Sequence, residues 1–123
     1  MTDQTDNLIL DKRMARFIDA YNDIADYIHD WAKRKGFWDE ERNDGEIIAL
    51  IHSELSEALE TLRDKEKADS SVLFGIRGVE EELANCLIRI MDYGKGRGWE
   101  IAEALELKMA FNEQRPYKHG KEF

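Results

Sequence analysis

The sequence predicts an all-α fold, a bundle of four to five helices. Three observations predict it. Apolar residues recur at helical spacing in four separate segments, no segment of any length alternates with the period of a half-buried strand, and the chain is free of proline until Pro116. No repeat of solenoid type interrupts this pattern, so residues 1–123 read as one domain.

The first segment runs from about Asp6 to Arg34, with Met14, Phe17, Ile18, Tyr21, Ile24, Ala25, Ile28, Trp31 and Ala32 along its apolar face. Residues 1–7 are polar and read as a disordered tail, and Gly36 reads as a stop. A polar loop carrying Phe37 and Trp38 follows. Asn43 is placed to cap the second helix, with Glu46 three residues on in capping-box position. That helix bears Ile47, Ile48, Leu50, Ile51, Leu55, Ala58, Leu59 and Leu62, and fades near Asp64. Residues 65–71 read as a charged loop, and 72–75 fit no element clearly. The third helix spans about Val79 to Tyr93, on a spine of Leu83, Leu87, Ile90 and Met91. Gly94, Gly96 and Gly98 read as a turn. The fourth helix runs from about Glu100 to Asn112, and residues 115–123 read as an irregular basic tail.

Composition narrows the function. The formal net charge of -9 argues against non-specific binding to nucleic acid, which needs a cationic surface. The same charge would repel a polyphosphate unless cations intervened. Hydrophobic residues make up 42%, too many for a disordered chain. The polar start lacks the character of a signal peptide, and no apolar run approaches the roughly 20 residues that span a bilayer. A cytoplasmic location is the expectation. Cys86 lies in an apolar run with no activating neighbour and reads as a small buried side chain. His29, His52 and His119 form no zinc-ligand pattern.

The chemistry concentrates in two short clusters, Glu54-Leu-Ser-Glu57 and Glu82-Leu-Ala-Asn85. Residues three apart share a helix face, so each cluster presents two oxygen-bearing side chains together. Glu-x-x-Glu alone is common on solvated helices. Here Glu54 and Glu57 are flanked by Ile51, Leu55 and Ala58, so at least one edge of the acidic face borders packing rather than open water. Glu82, Asn85, Arg89 and Asp92 fall within roughly 80° of arc and form one polar stripe. If the two helices lie side by side, their oxygens converge into a site suited to a hard divalent cation such as Mg²⁺. Lys108, Asn112 and Arg115 form a further stripe able to hold phosphate oxygens, or an ordinary basic helix end. Glu80 and Glu81 suit a helix N-terminus, and Glu81 could also serve the site from outside it. Trp38 either packs its loop on the bundle or stacks on a base.

These residues resemble the MazG-like branch of the all-α nucleoside triphosphate pyrophosphatases, marked by Glu-x-x-Glu on one helix and Glu-x-x-Asp on the next. Glu54 and Glu57 form the first pair, and Glu82 opens the second after 24 intervening residues. The segments HSELSEALE, EEELANCLIRIMD and KMAFNEQRPYKHGK carry the likeness, which extends from about Trp31 to Lys121. The resemblance implies hydrolysis of a nucleoside triphosphate, a deoxynucleotide or a non-canonical one, to the monophosphate and pyrophosphate. Glu54, Glu57 and Glu82 are then the catalytic, metal-holding carboxylates, with Mg²⁺ as cofactor and Mn²⁺ as a possible substitute. Lys108, Asn112, Arg115 and Trp38 are the expected substrate contacts. Assembly into a homodimer or homotetramer, with pockets completed across subunits, is also implied. One departure stands out: Asn85 occupies the position of the family's Asp. A neutral amide oxygen is a weaker ligand, so a nucleotide- or metal-binding member without turnover is the alternative. A structural helical module kept soluble by its acidic faces is a third reading.

Overall fold

The computed structural model describes residues 4–69, 71–73 and 75–122. In chain order it consists of α1 (Gln4–Arg34), α2 (Asp44–Arg63), α3 (Lys65–Asp69), β1 (Ser71–Leu73), β2 (Ile76–Arg77), α4 (Gly78–Arg97) and α5 (Ile101–Glu113), closing with a 3-10 turn at Tyr117–Gly120. The fold is an all-α bundle, as expected, with one minimal antiparallel hairpin in which Ser71 faces Arg77 and Leu73 faces Ile76. α4 organises the molecule: it packs most extensively on α2, then on α1, and also meets α3 and β2, while α5 lies on α1.

Several boundaries differ from expectation, each for a local reason. α1 begins at Gln4, so residues 4–7 are helical rather than a tail, and residues 1–3 lie outside the described residues. Residues 65–69 are a short helix, started by Asp64, whose Oδ1 accepts from the Glu66 and Lys67 N–H groups at 3.1 and 3.4 Å. Residues 72 and 73 belong to β1 and Gly75 precedes β2 at φ +85°, while residues 70 and 74 lie outside the described residues. The glycine run from 94 to 98 is not a turn, since α4 continues through Arg97. Gly94 and Gly96 are glycines because neighbours come close. A Cβ at Gly94 would stand 2.7 Å from Ile101 Cγ1, and one at Gly96 would overlap Trp38 Cη2. Only Gly98 stops the helix, at φ 73°, with its N–H on Lys95 O and the Trp99 N–H on Gly94 O. That pair of bonds is a Schellman closure. Near the end of the chain, Lys118 and His119 both adopt left-handed φ values within the 3-10 turn; residue 123 lies outside the described residues.

The second helix starts as its sequence requires. The Asn43 side chain accepts from the Glu46 N–H at 3.1 Å, satisfying one of the free donors of the first turn. The interior is made of small side chains: Ala25, Ala32, Ala58, Ala68, Cys86 and Ala102, together with Ile47 and Tyr93. Small residues let α1, α2 and α4 approach closely, but they leave the larger apolar side chains outside. Leu55, Leu59 and Leu62 of α2 and Leu83 and Leu87 of α4 are all exposed, Leu59 at 51% and Leu87 at 59%. Positions 55, 59 and 62 form one helical stripe. Among the described residues no helix is long and apolar enough to cross a membrane.

Candidate metal centre

The pairing of α2 with α4 brings Glu54, Glu57 and Glu82 together. One carboxylate oxygen from each lies within 4.8 Å of the others. That is the scale of oxygens around a single divalent ion, roughly 3–4 Å for Mg²⁺ and up to about 5 Å for larger cations. The three residues grade outward: Glu54 is 8% exposed, Glu82 is half-buried and Glu57 is open to solvent.

Each of the two inner carboxylates has an unanswered oxygen. Glu54 Oε1 accepts from Arg89 Nε at 2.8 Å, whereas its Oε2 is screened from solvent and has no hydrogen-bond partner. Glu82 Oε2 likewise has no N–H or hydroxyl donor, and the Glu82 carboxyl interacts instead with the Glu57 and Glu54 carboxyls. Buried acceptors without donors are costly, and a cation answers them directly. Burial, followed by the neighbouring Glu57 and Glu54 carboxylates, pushes the Glu82 carboxyl up to about 7. The donor set, all hard oxygen, suits Mg²⁺ or Mn²⁺.

Two depressions adjoin the cluster. Glu54 and Asn85 line a cavity of about 300 Å³ together with Trp31, Phe37, Arg42 and Arg89. Glu57 and Glu82 line a shallower cleft beside Thr61, Arg63 and Lys67. Asn85 thus stands one turn from Glu82 on the cavity side, within the polar stripe that the sequence predicts.

Asp92, the last residue of that stripe, also lines this cavity and is tied to neighbouring side chains. It is buried, accepts from Trp38 Nε1 at 2.9 Å, contacts His29 Nδ1 at 2.8 Å and lies 3.7 Å from Arg42 Nη1. Trp38 is therefore anchored by its indole N–H. Its ring rests on Gly96, meets the His29 ring edge-on at 5.0 Å, and has the Arg42 and Arg97 guanidinium groups at 5.1 and 5.7 Å. This is the packing role; the aromatic side chains that line the cavity are Trp31 and Phe37. A second set of bonds fixes the start of α2. Asp44 Oδ1 accepts from Arg97 Nε at 2.8 Å and from the Tyr93 hydroxyl at 2.9 Å, which holds the Asp44 carboxyl below its usual range.

Lys108, Asn112 and Arg115 lie on and just after α5, the helix that packs on α1. Lys108 and Arg115 flank the Phe111 ring at 4.7 and 5.9 Å, and the screened Asn112 Oδ1 has no partner. None of the three lines either depression beside the carboxylates. Comparison with protein-family models, curated proteins and solved structures yields no match to this chain.

Proposed function

We propose that this chain is a Mg²⁺-dependent hydrolase that converts a nucleoside triphosphate to its monophosphate and pyrophosphate. The observation that carries this reading is the convergence of Glu54, Glu57 and Glu82, with a buried, unanswered oxygen on Glu54. The motif resemblance to MazG-like pyrophosphatases supplies the reaction. Glu54, Glu57 and Glu82 would hold the ion, with Asn85 as a neutral, weaker ligand. A bound Mg²⁺ supplies neutralisation of the phosphate chain and acidification of a water. One carboxylate of the cluster orients that water and takes its proton. The water oxygen bonds to the α-phosphorus while the bond from that phosphorus to the bridging oxygen breaks, and pyrophosphate leaves. The apolar faces of Trp31 and Phe37 offer the base a surface in the 300 Å³ cavity.

Self-association belongs to this reading. The exposed leucines of α2 and α4 call for cover, and a second copy of the chain, in a dimer or tetramer, provides it. Such an assembly also allows Lys108, Asn112 and Arg115 of one copy to reach the phosphates held by another. The proposed setting is the nucleotide pool of the cytoplasm.

A second reading, nucleotide binding without turnover, is favoured by one observation: Asn85 removes a carboxylate from the cavity side of the cluster. A pyrophosphate-release screen over ordinary and damaged nucleotides at saturating Mg²⁺ tests both. Release by the wild type, reduced about a hundredfold or more in Glu57→Ala with an unchanged helical spectrum, is the expected result. Nucleotide binding with no release from any substrate selects the second reading, and a fully active Glu57→Ala removes Glu57 from the mechanism.

A further inference from the structure

We infer that Arg89 is a resident counter-cation of the acidic cluster, which limits the cluster to one divalent ion per chain and keeps that ion weakly held in the absence of substrate. The inference rests on the cluster being a cation site.

The geometry divides Glu54 between two cations. Its Oε1 is engaged by Arg89 Nε at 2.8 Å, and its Oε2 is left without a partner in a side chain that is nine-tenths buried. An ion entering the cluster can take Oε2 at once, but it must share the carboxylate with a guanidinium that never loses its charge. The charge balance points the same way. Three ionised carboxylates and the guanidinium bonded to Glu54 leave two negative charges at the cluster itself, which one divalent ion cancels, and the Arg63 and Lys67 cations of the adjoining cleft weigh further against a second ion. Asn85, which lines the cavity with Glu54 and Arg89, adds no charge to invite a second ion. Arg42, the other guanidinium in the cavity, is turned to Asp92. Arg89 is the cation hydrogen-bonded to the buried carboxylate of the cluster, and it projects from α4, the helix that also carries Glu82 and Asn85. Weak holding of a lone ion has a consequence for a polyphosphate: the ion and its phosphate oxygens enter as a pair, with the phosphates supplying the negative charge that a second ion would need.

The test is Mn²⁺ titration of the purified chain, with free ion read by electron paramagnetic resonance and folding read by circular dichroism. The wild type takes one Mn²⁺ per chain. Arg89→Met tightens that ion by about tenfold or more, because a positive charge next to the site is gone. Arg89→Lys, which keeps the charge, stays within about threefold of the wild type. The Arg89→Met, Asn85→Asp double variant takes a second ion. Unchanged or weaker Mn²⁺ binding in a folded Arg89→Met, or two ions in the wild type, overturns the inference while leaving the cation site itself standing. Where Arg89→Met does not fold, Asn85→Asp decides: with Arg89 in place it tightens Mn²⁺ and still stops at one ion, and two ions there overturn the inference. A wild type that takes no Mn²⁺ at all overturns the cation site and this inference together.

Discussion

Raising the pH through neutrality should destabilise the metal-free protein, through Glu82. Its carboxyl titrates near 4.5 in an ordinary setting and at about 7 in the fold, because burial and the Glu57 and Glu54 carboxylates oppose ionisation. Between those two values the folded chain holds a proton that the unfolded chain has released. The contribution is therefore fully present below about 4.5 and is lost as pH climbs through about 7. The displacement corresponds to about 3 kcal/mol at most; solvent screening at the open Glu57 side reduces this to about 1–2 kcal/mol. Urea midpoints measured from about pH 4 to about pH 8 in chelator, for the wild type and for Glu82→Gln, isolate the term. The amide cannot ionise, so the wild-type curve falls relative to the variant across this window. Millimolar Mg²⁺ should then restore the wild type more at the alkaline end, where it no longer competes with the proton. Parallel curves for the two proteins would refute the electrostatic account of the cluster.

The other two outcomes concern packing and assembly. Trp38→Phe removes the N–H that answers Asp92 and should cost about 1–3 kcal/mol in urea unfolding. Mn²⁺ stoichiometry at the carboxylates should not change, whereas unchanged stability with a raised KM for nucleotide would return Trp38 to the base. Leu59→Glu places a charge in the exposed α2 stripe and should lower the mass measured by light scattering at micromolar concentration. The same mass for both proteins would move the assembly surface elsewhere.

The carboxylate site was legible because two periodicities coincide in it. The spacing of Glu54 and Glu57 fixes their common face, and the stripe from Glu82 to Asp92 fixes the face of α4 turned inward. Only the crossing of α2 and α4 was needed to make them meet. The Asn43 cap was legible because its geometry is local. Gly94 and Gly96 misled for the opposite reason. Their identity is set by Ile101 and by Trp38, the latter 58 positions away in sequence, and a glycine that admits a neighbour cannot be told from one that makes a turn. Arg89 stood visibly among the acids of its stripe, but which acid it would answer depends on the register of two helices. His29 gave no signal at all, since its partner is 63 positions away. The apolar pattern located the four long helices, though not α3 and not every boundary, and overstated their burial: Ile24, Leu55, Leu59 and Leu87 keep helical spacing and still face outward.

That last mismatch and the acidic cluster share a location. α2 carries both Glu54 and Glu57 and the leucine stripe at 55, 59 and 62, and α4 carries Glu82 beside exposed Leu83. Along one helix, residues that want a cation therefore alternate with residues that want apolar cover. A single chain in water without metal leaves both unmet, and burying large side chains is what most domains of this size rely on. Covering Leu55 and Leu59 would also lower the dielectric around the adjoining Glu57, which strengthens its attraction for a divalent ion and its repulsion for its two neighbours when no ion is present. On the proposed function, association and cation binding would be linked through the same helix: whichever occurred first would change the free energy of the other, and by linkage the change would be equal in both directions.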